Sequence, residues 1–277
     1  MSRDIWAITS DQHCGSTLGL CSPEGVALDD GGYYMPSEAQ RALYSCWMDY
    51  WAQVALKVHS GDRLYVVVNG DLLDGDHHNT PQIVSRNIPA TQHRLAMDVF
   101  ELPLSLRPSA VFVIRGTEVH VGKSGGNEEA LAEAMGAEQT PTGNYSWWHL
   151  EVESRGVRMD FAHHGRMGQR PWTKLGGVST LAAEIMLSCV EHDAPIPDLV
   201  LRSHYHRWAD SDENYRTRVI QLPGWQLSTG YVYRIAPRSI PSIGGLIVTC
   251  EDGEYEVEKV KFPWKREKAW QPKGEDR

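Results

Sequence analysis

Five short apolar runs in this sequence each lead into aspartate, histidine or glutamate residues. The runs are Ile5-Trp6-Ala7-Ile8, Leu64-Tyr65-Val66-Val67-Val68, Ala110-Val111-Phe112-Val113-Ile114, Met159-Asp160-Phe161-Ala162 and Leu199-Val200-Leu201. Short apolar runs rich in β-branched residues predict strands buried on both faces, as in a parallel sheet. Open α/β sheets bind ligands beyond the carboxyl ends of such strands. The residues after each run are therefore the candidate chemistry. They are Asp11-Gln12-His13, then Asn69-Gly70-Asp71-Leu72-Leu73-Asp74, then Arg115-Gly116-Thr117-Glu118-Val119-His120, then His163-His164, and finally Arg202-Ser203-His204-Tyr205-His206-Arg207.

Positions i and i+2 on an extended segment project to one side. His204 with His206, and Asp11 with His13, could thus each face a metal. One such pair means little in a chain with twelve histidines; five blocks at strand ends mean far more.

The intervening segments read as helices and loops. Gly-rich residues Cys14 to Gly32 predict a long loop. A helix is expected from Ser37-Glu38 to about Val58, with Leu43, Trp47, Tyr50, Trp51 and Val54 at helical spacing. Further helices are expected at about Ala90–Leu106, disturbed at Pro103, and at about Val178–Glu191. Asn127-Glu128-Glu129 should cap a short helix ending at Gly136. Trp147–Val152 and Val157–Ala162 predict a hairpin. The last third reads as strands at Arg218–Leu222, Leu246–Cys250 and Glu254–Val260. The expectation is one α/β domain over residues 1–262, with two packed sheets and helices outside, and a polar C-terminal tail over 263–277.

Lys and Arg number 27 against 36 Asp and Glu, a net charge of −9. Such a chain does not attract polyanions overall, so any phosphate must be held by a local positive site. The first strand starts almost at the N-terminus, so no signal peptide is expected. No apolar run approaches the roughly 20 residues of a membrane span. The odd, scattered cysteines (Cys14, Cys21, Cys46, Cys189, Cys250) predict reduced thiols and a cytoplasmic location. Gly122-Lys123-Ser124 lacks the first glycine of a P-loop at the required spacing. Tyr145, Trp147, Trp148, Trp172 and Trp225 are expected to pack in the core.

The ordered set Asp11-x-His13, Gly70-Asp71-x-x-Asp74, Gly116, His163-His164 and His204-x-His206 resembles the calcineurin-like metallophosphoesterases. That family's pattern is D-x-H, G-D-x-x-D, G-N-H-D/E, a lone H and G-H-x-H. The match spans positions 11 to 206. The resemblance implies a four-layer α/β/β/α sandwich of two mixed sheets and a dinuclear metal centre. Mixed N/O ligation suits manganese first, with Fe, Zn, Co or Ni as alternatives.

It also implies roles. Asp71 would bridge two cations. Asp11, His13 and His206 would complete one site. His204, one of His163 or His164, and an oxygen from Thr117 or Glu118 would complete the other. The preferred histidine is His163, with its neighbour facing away. Asp74 would orient a ligand and act beside the metals. A metal-bridging hydroxide would attack a phosphodiester, and His120 would protonate the leaving group. Arg115, His77, His78 and Lys123 are candidate substrate-binding residues. The substrate would be a phosphate ester, which could be a nucleotide or nucleic acid.

Two departures from the pattern stand out. Ser203 replaces the glycine of G-H-x-H, a small-for-small change. Thr117-Glu118 stands where the family has Asn-His, and His120 lies two residues further on. The second departure leaves open a mononuclear or inactive site, and with it a non-catalytic metal-binding or regulatory protein on the same scaffold. The resemblance itself leaves a nuclease as another alternative, since the family includes DNA-processing enzymes, with the net charge of −9 weighing against it.

Overall fold

The computed structural model describes residues 2–77, 79–168 and 173–265. Strand β1 (Asp4–Thr9) sends Ile5 and Ala7 to one side and Trp6 and Ile8 to the other. Both sets are buried, because each face of the sheet meets a different apolar layer. The period-2 alternation of a strand thus serves two cores at once.

After β1, a ribbon of β2 (Val26–Ala27) and β3 (Tyr33–Tyr34) precedes helix α1 (Glu38–Lys57). Ser37 caps α1: its hydroxyl accepts from Gln40 N, and the Gln40 side chain accepts from Ser37 N. Next come β4 (Arg63–Asn69), α2 (His93–Ser105), β5 (Ala110–Ile114), α3 (Glu118–Val121), α4 (Gly126–Ala134) and β6 (Ser146–Trp147). Strands β7 (Leu150–Ser154) and β8 (Val157–His164), helix α5 (Lys174–Glu191), and strands β9 (Leu199–Ser203), β10 (Ala209–Asp210) and β11 (Arg218–Gln221) follow. Helix α6 (Gly230–Ile235) and the hairpin of β12 (Ile243–Glu251) and β13 (Glu254–Phe262) end the described fold.

One sheet has the order β13-β12-β1-β4-β5-β6, the other β10-β11-β9-β8-β7. Both are mixed: β1, β4, β5 and β6 run parallel while β12 and β13 are antiparallel, and β8, β9 and β11 run parallel with antiparallel edges. Three apolar layers separate the elements. The first packs Leu43, Trp47, Trp51, Val99 and Phe100 of α1 and α2 on the larger sheet. The second lies between the sheets, where Trp6, Ile8 and Val67 meet Phe161, Leu199 and Leu201. The third packs Val178 and Ala182 of α5 on Val200 and Val219. This is the α/β/β/α order expected from the sequence.

Three local expectations are revised. The anticipated strand 147–152 is broken: Ser146–Trp147 pairs with β5 in one sheet, while Leu150–Ser154 pairs with β8 in the other. Helix α4 has no side-chain cap, because its N-cap position falls on Gly125 and Asn127 lies inside the helix. Helix α2 begins at His93 after a π-type turn at Ile88–Gln92 and tolerates Pro103 near its end. Trp225 is fully buried and Tyr145 and Trp147 partly so, but Trp148 is exposed, with the Arg115 guanidinium over its ring at 4.9 Å. Trp172 and the tail beyond residue 265 lie outside the described residues.

Candidate metal centre

The carboxyl ends of β1, β4, β5, β8 and β9 meet at one edge of the sandwich. The loop after β1 keeps pairing with the loop after β4: Asp11 N donates to Gly70 O at 2.9 Å and His13 N to Asp71 O at 3.0 Å. Asp11, His13, Asp71, His204 and His206 all have φ between +47° and +76°. Non-glycine residues rarely adopt this conformation, and it costs each of order 1–3 kcal/mol. The strain turns side chains from neighbouring strand ends toward one point. Close approach also needs glycine at two places. A Cβ on Gly70 would overlap the His163 imidazole, and one on Gly116 would overlap the Asp71 carboxylate.

Two groups of donor atoms result. In the first, His206 Nε2 lies 3.1 Å from Asp11 Oδ1 and 3.2 Å from His13 Nε2. In the second, Asp71 Oδ2 lies 2.9 Å from His163 Nε2 and 3.2 Å from Thr117 Oγ1. Thr117 Oγ1 is in turn 3.0 Å from His204 Nδ1 and 3.4 Å from His164 Nε2. Donor atoms about 2.0–2.2 Å from a tetrahedral cation stand about 3.3 Å apart. These spacings therefore fit divalent cations. Asp11 Oδ1 is buried and, among the described residues, its polar neighbours are the imidazole nitrogens of His206 at 3.1 Å and His163 at 4.0 Å, with no well-aligned hydrogen bond, as suits an oxygen that shares a cation with them. Asp71 approaches both groups, since it clusters with His13 and His120 on one side and with Asp11 and His163 on the other.

Neither a family model nor a curated protein sequence matches the chain. Solved structures do. A dimetal phosphatase from Danio rerio is similar over 92% of this chain and 95% of that chain, with 11% identity and a TM-score of 0.47. A predicted phosphoesterase from Streptococcus pneumoniae TIGR4 covers 94% of this chain and 91% of its own, with 12% identity and a TM-score of 0.40. Vacuolar Protein Sorting 29 from Cryptosporidium parvum covers 95% and 99%, with 11% identity and a TM-score of 0.39.

The chain resembles the calcineurin-like metallophosphoesterases. Its centre differs from the sequence expectation in several details. His163 and His164 do not face opposite ways. The register of β8 against β9 shifts between Phe161 and His164, so β8 carries one extra residue there. Such a bulge re-aims a side chain, and both imidazoles join His204 in one cluster. Ser203 is fully buried, and its hydroxyl lies 2.6 Å from both Asn69 O and Asn69 Nδ2. It therefore ties the ends of β4 and β9 together. Glu118 is exposed at the start of α3, whereas Thr117 Oγ1 points into the second group.

The supporting atoms orient the donors. His163 Nδ1 donates to Asn69 O at 2.7 Å, which leaves Nε2 on Asp71. His13 Nδ1 lies 3.2 Å from Asp74 Oδ1, which leaves its Nε2 on the first group. His120 Nδ1 donates to the Asp74 carbonyl at 2.6 Å, and its ring packs edge-on against His13 and His77. Two contributors were not legible in the sequence. Glu128 is fully buried and accepts from Leu72 N at 2.9 Å and Gly116 N at 2.7 Å, bracing the β4 and β5 loops. Gln226 donates to Asp74 Oδ1 at 3.3 Å. Neither carries a motif, because each acts through a contact distant in sequence.

The charges follow the geometry. Burial pushes the Asp71 carboxyl up, but His163 outweighs it and holds Asp71 well below the usual carboxylate range. Burial likewise opposes and His206 favours the carboxylate of Asp11, which ends lowered. Burial lowers His163, yet Asp71 and Asp11 raise it to about 10. A proton there does the work that a cation would do between the same carboxylates. Burial, then His163, pushes His204 down to about 4, and burial, then His13, does the same to His120. Both present lone pairs.

The predicted substrate-binding residues divide. His77 Nε2 sits 3.8 Å from Asp74 Oδ1, at the centre. Arg115 is tied to Ser146 Oγ at 2.7 Å and Glu129 Oε2 at 3.2 Å, and braces β6 and α4. Lys123 is exposed in the turn Lys123–Gly125. His78 lies outside the described residues. Burial raises the thiols of Cys14 well above their ordinary range and of Cys21 to about 12, so both are unreactive packing groups.

Proposed function

We propose that this chain is a dinuclear-metal-dependent phosphoesterase that hydrolyses phosphodiester bonds. The observation that carries the proposal is the pair of N/O donor groups that share Asp71. Asp11, His13 and His206 would hold one cation with Asp71. His163, His204 and Thr117 Oγ1 would hold the second with Asp71, and His164 lies close enough to add a nitrogen. Two divalent cations, when bound, supply charge that activates water and offsets the charge developing on phosphate. Manganese is the expected metal.

The chain's own groups do the rest. The Asp74 carboxylate orients His13, and its carbonyl fixes the His120 tautomer so that Nε2 faces the centre. An arriving phosphate oxyanion favours the imidazolium of His120, which then donates its proton to the leaving oxygen. His77 packs against His120 and borders the same opening. The domain extends over residues 1–262. The free state of the five cysteines agrees with a reducing, cytoplasmic compartment.

The test is hydrolysis of bis-p-nitrophenyl phosphate with Mn²⁺, Fe²⁺, Zn²⁺, Co²⁺ or Ni²⁺. Turnover is expected with at least one metal and is lost in Asp71→Asn. Equal rates for wild type and Asp71→Asn with every metal would leave a non-catalytic metal-binding protein. Cleavage confined to DNA or RNA would identify a nuclease.

A further inference from the structure

A cavity of about 700 Å³ opens directly from the candidate metal centre. His204 and His206 form its inner wall. Gln226, which touches Asp74, lies beside them. The outer wall is the α6 segment, with Tyr231, Val232 and Ile235, and Tyr205 and Arg207 also line the space. Its size is that of a small-molecule site. Tyr205 and Tyr231 are exposed rings on its border, although soluble proteins usually bury such surface or use it.

Arg207 is half-buried in this wall. Its Nη2 donates to Ser239 Oγ at 2.9 Å. Among the described residues no carboxylate lies within ion-pair reach of it. An arginine held by one neutral hydroxyl keeps its other N–H groups for an anion. Arg234, whose guanidinium lies over the Tyr231 ring, and Arg238 add positive charge on the same segment of an acidic chain. The cavity therefore combines planar apolar surfaces with a cation that is not itself a candidate metal ligand.

We propose that this cavity is a leaving-group subsite for nucleotide-type phosphate esters, in which aromatic rings hold the base and Arg207 holds a second phosphate. The proposal rests on the phosphoesterase reading. In the reaction water adds to phosphorus, and the phosphorus–oxygen bond to the nucleotide in the cavity breaks. Its electron pair stays on that oxygen, which takes a proton.

The test compares thymidylyl-(3′→5′)-thymidine with the same dinucleotide bearing a 3′-terminal phosphate. Charge-assisted hydrogen bonds to the second phosphate predict a ratio of kcat/KM, phosphorylated over unphosphorylated, of about 10–100 in the wild type. The ratio should fall close to one in Arg207→Ala and lie between in Arg207→Lys. A wild-type ratio near one, or a ratio unchanged in Arg207→Ala, overturns the subsite while hydrolysis of bis-p-nitrophenyl phosphate would still support the phosphoesterase. If no ester is cleaved with any metal, the phosphoesterase reading fails instead. Equilibrium binding of the two dinucleotides to wild type and Arg207→Ala then decides the subsite by the same ratio.

Discussion

Asp71 Oδ2 and His163 Nε2 lie 2.9 Å apart inside the protein, and each sets the other's charge. Burial alone would neutralise both. Together they form an ion pair in which His163 is protonated up to about pH 10. A cation can bind His163 only by displacing that proton. Metal binding is therefore expected to release protons at pH 7 and to tighten by about tenfold per pH unit below about 10. Calorimetry in buffers of different ionisation enthalpy measures both quantities. Binding of Mn²⁺ without proton release would refute the pairing.

The shared position of Asp71 makes a second prediction. Asp71→Asn should lose both cations, whereas His206→Ala should lose mainly the one held with Asp11 and His13. Metal analysis after dialysis, paired with circular dichroism to confirm folding, distinguishes the two. Equal loss in the two variants would show that Asp71 is not the bridge.

Ser203 supports the centre from below. Ser203→Ala removes one hydrogen bond each from Asn69 Nδ2, which keeps Ala162 O, and from the Asn69 carbonyl, which keeps His163 Nδ1, and should cost about 1 kcal/mol in denaturant unfolding. Ser203→Gly should cost at least as much, although glycine is the residue the family has there. A neutral Ser203→Gly variant would contradict this account.

Glu128 gives a pH-dependent test. Burial, then the Asp71 charge, raises its carboxyl from 4.5 to about 7. The folded state thus keeps a proton that the unfolded chain loses. Stability from this group is full below about pH 4.5 and falls as pH rises to about 7. The loss is about 3 kcal/mol, at about 1.4 kcal/mol per unit. Glu128→Gln should flatten that part of the metal-free stability curve. Parallel curves for wild type and variant between pH 4.5 and 7 would show that Glu128 does not titrate in this window.

Much of this centre was legible one strand at a time. The apolar runs placed β1, β4, β5, β8 and β9, since both faces of a central parallel strand must be apolar. The residues after each run marked Asp11, His13, Asp71, His204 and His206, because strand ends in such folds converge on one edge. Sequence spacing could not choose between Thr117 and Glu118, and it turned His164 away. The entry into α3 points Glu118 to solvent and leaves Thr117 Oγ1 beside Asp71. His164 was decided by one extra residue in β8, a bulge that depends on pairing with β9. Ser203, Glu128, Gln226 and Arg207 became informative only through contacts between segments far apart in the chain. The sequence by itself determined the layers and the ligand types through periodicity and residue chemistry. Which donor atoms stand close enough together to hold a cation, and what lies beside them, were decided by the tertiary structure, because atoms only ångströms apart belong to loops that only folding brings together.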